Sequence, residues 1–98
     1  MSRTLIIDDE AELDLAEAKK WYDDRREGLG DEFLEKVETA FQTIQRMPLV
    51  PRIIFSGLRR MLLRRFPYAV FYRVTDERIT VVAVYHTSRD PRGWQSRA

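Results

Sequence analysis

Three apolar runs crowd into the stretch from Leu58 to Tyr85, and only short polar breaks separate them. Residues 58–66 form one run, residues 69–74 the next, rich in the β-branched and aromatic side chains that suit strands, and residues 79–85 a third, strongly apolar one. A parallel pair needs a crossover of about a dozen residues or more, so breaks this short predict antiparallel neighbours. Successive side chains of a strand point to opposite faces. Ile79, Val81, Ala83 and Tyr85 then share one side of the last run, and Val82 and Val84 the other. In the middle run Val70, Tyr72 and Val74 oppose Ala69 and Phe71, and in the first Met61 and Leu63 oppose Leu62 and Phe66. Both faces are apolar, whereas an antiparallel sheet with one face in water alternates apolar with polar residues. One small sheet must find two covers.

The N-terminal half supplies the first cover. Residues 4–7 read as a short strand. Asp9 and Glu12 have capping-box spacing, and Ala11, Leu15, Ala18 and Tyr22 follow as a helical stripe that Trp21 widens. That helix should end near Arg26, since Gly28 and Gly30 are stop and turn residues. Asp31 is the expected cap of a second helix, whose stripe is Phe33, Val37, Ala40, Ile44 and Met47, with Leu34 and Phe41 beside it. Pro48 and Pro51 end it and open a loop. The order is β-α-α-β-β-β, an α+β domain in which an antiparallel helical hairpin packs on one face of a small, mainly antiparallel sheet. It spans 1–98 as one domain, with an irregular tail over 86–98. The second face needs the tail, a second copy or a different protein; the expected cover is a partner, with arginines around its rim, and the alternative is the tail itself folding back through Trp94.

The 98-residue chain has no cysteine and one histidine, so disulfides, thiolate metal sites and multi-histidine sites are excluded. No metal and no cofactor is expected. Neither a signal peptide nor a membrane-length apolar run is present, and the expected location is the cytoplasm. The net charge of +1 hides an asymmetry: residues 1–50 carry seven Lys/Arg and thirteen Asp/Glu, residues 51–98 ten Arg and three Asp/Glu. Every base of the second half is arginine, which suits bidentate contact with carboxylate or phosphate. The simplest account is an acidic helical half beside a basic sheet; the alternative is an anion- or partner-binding face. The helix carboxylates show no paired catalytic spacing and read as a solvated surface.

Specific residues carry a resemblance over nearly the whole chain. They are Ala11 with Asp14-Leu15, Ala18, Trp21-Tyr22, Gly28-Leu29-Gly30, Phe33, Val37-Glu38, Ile44 and Pro48, then Leu58-Arg59-Arg60, Arg65-Phe66-Pro67-Tyr68, Tyr72 and His86. In this order and spacing the chain resembles the RelE/ParE superfamily of toxins from type II toxin–antitoxin modules. The resemblance implies a helical hairpin on a small sheet and a cognate antitoxin whose C-terminal segment lies across the open sheet face. It also implies one of two activities. RelE-like members cleave messenger RNA on the ribosome, and ParE-like members inhibit a target protein, best known as DNA gyrase.

RNA cleavage needs a proton acceptor, a proton donor and cations on the phosphate. Where RelE-like members often place an arginine in a Tyr-Arg-(Ile/Val)-x-Tyr motif, Tyr68-Ala69-Val70-Phe71-Tyr72 has Ala69. Where they place basic residues and a terminal tyrosine, His86-Thr87-Ser88-Arg89 and Trp94 stand. The resemblance therefore favours the ParE-like branch. A nuclease would have to use His86 and Tyr85 for proton exchange and Arg60, Arg64 or Arg89 for phosphate. A target- or antitoxin-binding surface would draw on Arg59, Arg60, Arg64, Arg65, Tyr68, Phe71, Tyr72, His86, Arg89 and Trp94. For Arg59 and Arg65, ion pairs with the acidic helices compete with partner contact. A third reading is a degenerate, non-toxic member that only binds an antitoxin-like regulator. No membrane partner is implied.

Overall fold

The computed structural model describes residues 3–98. The elements run β1 (Thr4–Ile7), α1 (Asp9–Arg25), α2 (Leu29–Arg46), β2 (Ile53–Phe55), β3 (Leu58–Leu62), β4 (Tyr68–Val74), β5 (Arg78–His86) and α3 (Arg92–Gln95). The strands form one sheet in the order β1-β5-β4-β3-β2. β1 runs parallel to β5 and every other neighbouring pair is antiparallel.

The helical hairpin covers one face. Ala11, Ala18 and Tyr22 from α1 and Phe33, Val37, Ala40, Phe41 and Ile44 from α2 enclose Val70, Tyr72, Ile79, Val81 and Val84 of the sheet. The stripe periodicity thus marked the buried side of both helices, apart from Leu15, Trp21 and Met47: Leu15 packs at the cluster's margin, Trp21 is half exposed and does not widen the stripe, and Met47 lies past the end of α2, exposed. Aromatic rings knit one end of this core, with Phe33 against Tyr22, Phe66 and Tyr68 at 5.4, 5.5 and 5.0 Å between centroids.

The caps differ from the sequence reading. α1 begins after Asp8, one residue earlier than the capping box required, and no side chain caps it by hydrogen bonding. Asp31 lies inside the first turn of α2, because Gly28 adopts φ 86° and starts the helix at Leu29. That left-handed backbone is one that glycine adopts without steric cost. Asp23 fixes the junction by accepting the Gly30 N–H at 2.7 Å.

The sheet departs from the reading in three places. First, Ile53-Ile54-Phe55 forms an additional edge strand, joined to β3 through a two-residue turn at Ser56 and Gly57. Both have positive φ, 46° and 84°, the requirement of a tight hairpin turn that follows the twist of its strands. Second, β3 ends at Leu62, and residues 63–67 form a loop in which Arg65 has φ 68°. Phe66 consequently joins Met61 and Leu63 on the helix side instead of opposing them.

Third, Phe71 pairs with Ala83 but Tyr72 pairs with Val81, so β5 carries one extra residue at Val82. A bulge of this kind reverses the side-chain alternation beyond it. Ile79, Val81 and Val84 therefore face the helices, while Val82, Ala83 and Tyr85 face the other way. Both faces are apolar as read, but the membership of the last strand is regrouped.

The second face is not left open for the expected partner, because the chain covers it with its own tail. Short helix α3 lays Trp94 on Phe71 as parallel stacked rings 4.1 Å apart, with Phe55 edge-on at 5.8 Å. Leu58, Ala69, Phe71, Val82, Ala83, Tyr85 and Trp94 make a second, smaller core. The tail, expected to be mostly irregular, is so apart from the four-residue helix α3.

Candidate functional site

The arginine pairs of β3 serve different ends. Arg59 faces the helix side, where its guanidinium donates to the Leu49 and Pro51 carbonyls at 3.2 and 2.6 Å. Tyr72, its cross-strand partner, donates its hydroxyl to the Pro48 carbonyl at 2.9 Å from a buried position. Burial raises the Tyr72 phenol above its ordinary pKa, with Arg59 a smaller opposing influence, so it stays a neutral donor. Together these two side chains hold the 48–51 loop. The acids proposed to compete for Arg59 are not its partners; backbone carbonyls are. Arg65 does meet an acid, Glu32 of α2, at 3.3 Å. Arg26 chiefly, and Arg65 secondarily, hold the Glu32 carboxyl below its ordinary range. Arg60 and Arg64 are exposed and make no ion pair among the described residues.

Topology gathers another group at one end of the sheet. Tyr68 opens β4 opposite His86, the last residue of β5, and the Thr87 N–H closes the end on the Pro67 carbonyl at 2.8 Å. Arg64, Arg65, Tyr68, His86 and Arg89 thus share this end. The rings of Tyr68 and His86 meet edge to face at 5.2 Å. Beside them a groove of about 480 Å³ runs against α1, lined by Glu17, Trp21, Tyr68, His86, Ser88 and Arg89 among others. Burial raises the Tyr68 phenol, partly offset by Arg89.

His86 and Tyr85 are neighbours in β5 and so project to opposite faces. Tyr85 is buried on the tail side, its ring under the guanidinium groups of Arg89 at 4.4 Å and Arg97 at 5.2 Å. A Cβ on Gly93 would fall on the Tyr85 hydroxyl, so only glycine lets the tail pass there. His86 turns to the groove, and its Nδ1 accepts the Ser88 N–H at 3.0 Å. An imidazole accepting at Nδ1 carries its neutral-form proton on Nε2. Arg60 lies on β3 opposite Phe71, on the tail side, remote in register from His86. His86, Arg64 and Arg89 share the sheet end, while Tyr85 and Arg60 take the tail side, so the two proton-exchange candidates His86 and Tyr85 do not face one site. Among the described residues, no three His, Asp or Glu side chains come together as a metal cluster.

Two functional positions escaped sequence reading. β1 pairs with only the first half of β5, leaving the Val82 carbonyl and Val84 N–H without a strand neighbour. Asp14 accepts the Val84 N–H at 3.0 Å, and Arg97 donates to the Val82 carbonyl at 3.1 Å. The two side chains also pair with each other through both guanidinium nitrogens, at 2.6 and 3.1 Å. They complete the ladder where β1 stops and fasten the tail to α1. Pairing with Asp14 raises the Arg97 pKa further. One signal was available: Asp14 is a carboxylate at spacings of three and four from Ala11 and Ala18, on an otherwise apolar stripe. Nothing in the sequence marked Arg97 as its partner.

Comparison with known proteins converges. Residues 5–91 match the family model described as ParE toxin of type II toxin-antitoxin system, parDE. Toxin ParE2 of Mycobacterium tuberculosis, in strains CDC 1551/Oshkosh and ATCC 25618/H37Rv, is 34% identical over 92 residues, covering 93% of this chain and 88% of the relative. A solved structure described as the chromosomal ParDE TA system from P. aeruginosa superposes with a TM-score of 0.79 at 17% identity, covering 88% of this chain and 97% of that one. That likeness gives the same fold, the helical hairpin on a mixed five-stranded sheet. The family match spans the helices, the arginine-rich strands and the His86 turn alike, and the chain belongs to the ParE toxin family of type II toxin–antitoxin systems.

Proposed function

We propose that this toxin acts by binding a bacterial target protein, DNA gyrase being the first candidate, and that a cognate antitoxin neutralises it. The observation that carries the reading is the sheet end where Arg64, Arg65, Tyr68, His86 and Arg89 collect, with Tyr85 turned to the opposite face. Exposed cations beside aromatic rings suit recognition of a protein surface bearing carboxylates, in which charge sets orientation and steering. Arg60, exposed on the tail side of β3, lies outside this sheet end and offers a separate contact. Arg59, Phe71, Tyr72 and Trp94 act beneath the surface, since each is already engaged within the fold. Membership of a parDE-type family supports the antitoxin, and the relatives named ParE2 support the ParE-like branch. Among the described residues no helix is long and apolar enough to cross a membrane.

Induced expression without the antitoxin tests the proposal. Growth should slow, the DNA-damage response should rise, supercoiling by purified gyrase should be blocked, and ribosome-bound message should stay intact. Codon-specific cuts in translated message, abolished by His86→Ala, would replace the reading with a ribosome-dependent nuclease. No effect on growth would leave a regulator-binding member without toxicity.

A further inference from the structure

The 47–53 segment has a surface that neither the sheet-end site nor the tail accounts for. Met47, Leu49, Val50 and Ile53 are all large, apolar and about half or more exposed, at 48, 54, 73 and 53%. They occupy four of seven consecutive positions, and Arg59 ties this segment down from β3. Ile53 is the cross-strand partner of Arg59, and the Arg59 guanidinium binds the Leu49 and Pro51 carbonyls. Tyr72 holds the Pro48 carbonyl from below. The backbone is therefore fixed while the aliphatic side chains are turned outward. A contiguous exposed apolar patch on a small domain marks an interaction surface more often than chance. Pre-fixing its backbone lowers the entropic cost of binding.

The charge around the patch has one sign. From Thr39 to Thr75 the chain contains no Asp or Glu and seven arginines. Arg46 precedes the apolar residues and Arg52 lies among them, both are exposed, and neither forms an ion pair among the described residues. β2 is only three residues long and its pairing is irregular, so strand addition at this edge offers little backbone hydrogen bonding. Side chains must carry the recognition. Nucleic acid fits poorly, because phosphates gain nothing from four aliphatic side chains and no aromatic ring is exposed among residues 46–53 for base stacking.

We infer that Met47, Leu49, Val50 and Ile53, with Arg46 before them and Arg52 among them, form a docking edge for an acidic, aliphatic segment of the antitoxin. The inference rests on the toxin–antitoxin reading and assigns the antitoxin to a different surface from the sheet face that α3 already covers. Aliphatic side chains of the segment cover the four apolar residues, and its carboxylates meet the two arginines.

The test uses the full chain and the antitoxin encoded beside it, with affinity measured by calorimetry and contacts by hydrogen exchange. Leu49→Asp with Val50→Asp should weaken binding about 100-fold, since fully covered aliphatic anchors dominate such interfaces. Arg46→Ala with Arg52→Ala should weaken it about tenfold and flatten its salt dependence. Hydrogen exchange of the wild-type complex should show new protection over 47–55. Leu13→Asp, an exposed apolar position on α1, should leave affinity within about threefold. All five positions are exposed, so the variants keep the core and should retain the near-ultraviolet signal of Trp94. Binding within about threefold of wild type by the Leu49/Val50 variant, with protection elsewhere, would overturn the docking edge while leaving the toxin reading intact. A wild-type chain that binds no antitoxin would overturn both. A free toxin that dimerises, with dimerisation lost in the Leu49/Val50 variant, would give the edge to a second copy. An oligonucleotide displaced by the antitoxin and lost in the arginine variant would give it to nucleic acid.

Discussion

The two faces of the sheet are both buried, but by different means. On the helix face, two helices lay eight buried apolar side chains over the strands, and aromatic contacts tie α1, α2 and the β3–β4 loop together. On the tail face a single turn of helix does the work, with Trp94 as its one large buried side chain. The tail's hold depends on ring stacking against Phe71 and on the ion pair of Asp14 and Arg97. A cover built from many interlocking apolar contacts is lost only with the fold. A cover fastened at two points can be released alone.

Removing a ring from the helix face should produce the largest effect. Phe33 is fully buried among Tyr22, Phe66 and Tyr68, and Phe33→Ala leaves a cavity bounded by rings that cannot all close on it. Loss of about 4 kcal/mol is expected, a large part of the stability of a domain this size. Urea unfolding followed by far- and near-ultraviolet signals should show both shifting together. If Phe33→Ala shifts only the tail signals, the two faces are not ranked as argued.

The ion pair tests the other fastening. Asp14→Ala strands the Val84 N–H and leaves Arg97 facing a low-dielectric site with only exposed Glu10 at 3.3 Å. Breaking a buried pair costs about 3–5 kcal/mol, and the lower end applies because Arg97 can swing out with the tail. Changing both, Asp14→Ala with Arg97→Met, should cost less than Asp14→Ala alone, since no buried charge is then left unpaired. A thermodynamic cycle in which the two changes simply add would show that the pair contributes nothing specific.

How much of this was legible divides along the same line. The helix face was readable because Phe33, Val37, Ala40 and Ile44 repeat at spacings that only a helix brings together. The regrouping of Val82, Ala83 and Val84 was not, because a bulge leaves no local mark and alternation extrapolated through it assigns every later residue to the wrong side. Trp94 could be named as a cover, but its fastening could not, as Asp14 and Arg97 lie 83 positions apart. Strand Ile53-Ile54-Phe55 was too short beside two prolines to stand out. At the candidate site, the arginines and His86 could be named from sequence. Which face each side chain takes, and the proton on Nε2 of His86, depend on register and on the Ser88 backbone.

Trp94→Ala separates the faces with a smaller change. Full truncation of a core tryptophan costs about 3–5 kcal/mol, but a terminal helix can detach and cap the loss at its own docking energy, about 2 kcal/mol. Amide exchange should accelerate over α3 and at Arg97 while Ile44 and Val70 keep their protection. Uniform acceleration across both groups would mean the tail is an integral part of one cooperative core, and the contrast between the covers would fail.

Arg65→Gly sets the lower limit of the comparison, because it removes an ion pair from the helix side. The Arg65 and Glu32 pair is solvent-exposed, and such pairs contribute about 0–1 kcal/mol. Glu32 also keeps Arg26 at 2.9 Å, so no charge is abandoned. Arg65 sits at φ 68°, where a side chain costs about 1–2 kcal/mol that glycine does not incur, against glycine's greater freedom when unfolded. The terms nearly cancel, and stability should change by about 0.5 kcal/mol or less in either direction. The same class of interaction, arginine with carboxylate, then differs several-fold in effect between Arg65 and Arg97. Burial and the orphaned strand edge account for the difference, and a destabilisation by Arg65→Gly as large as that by Asp14→Ala would refute it.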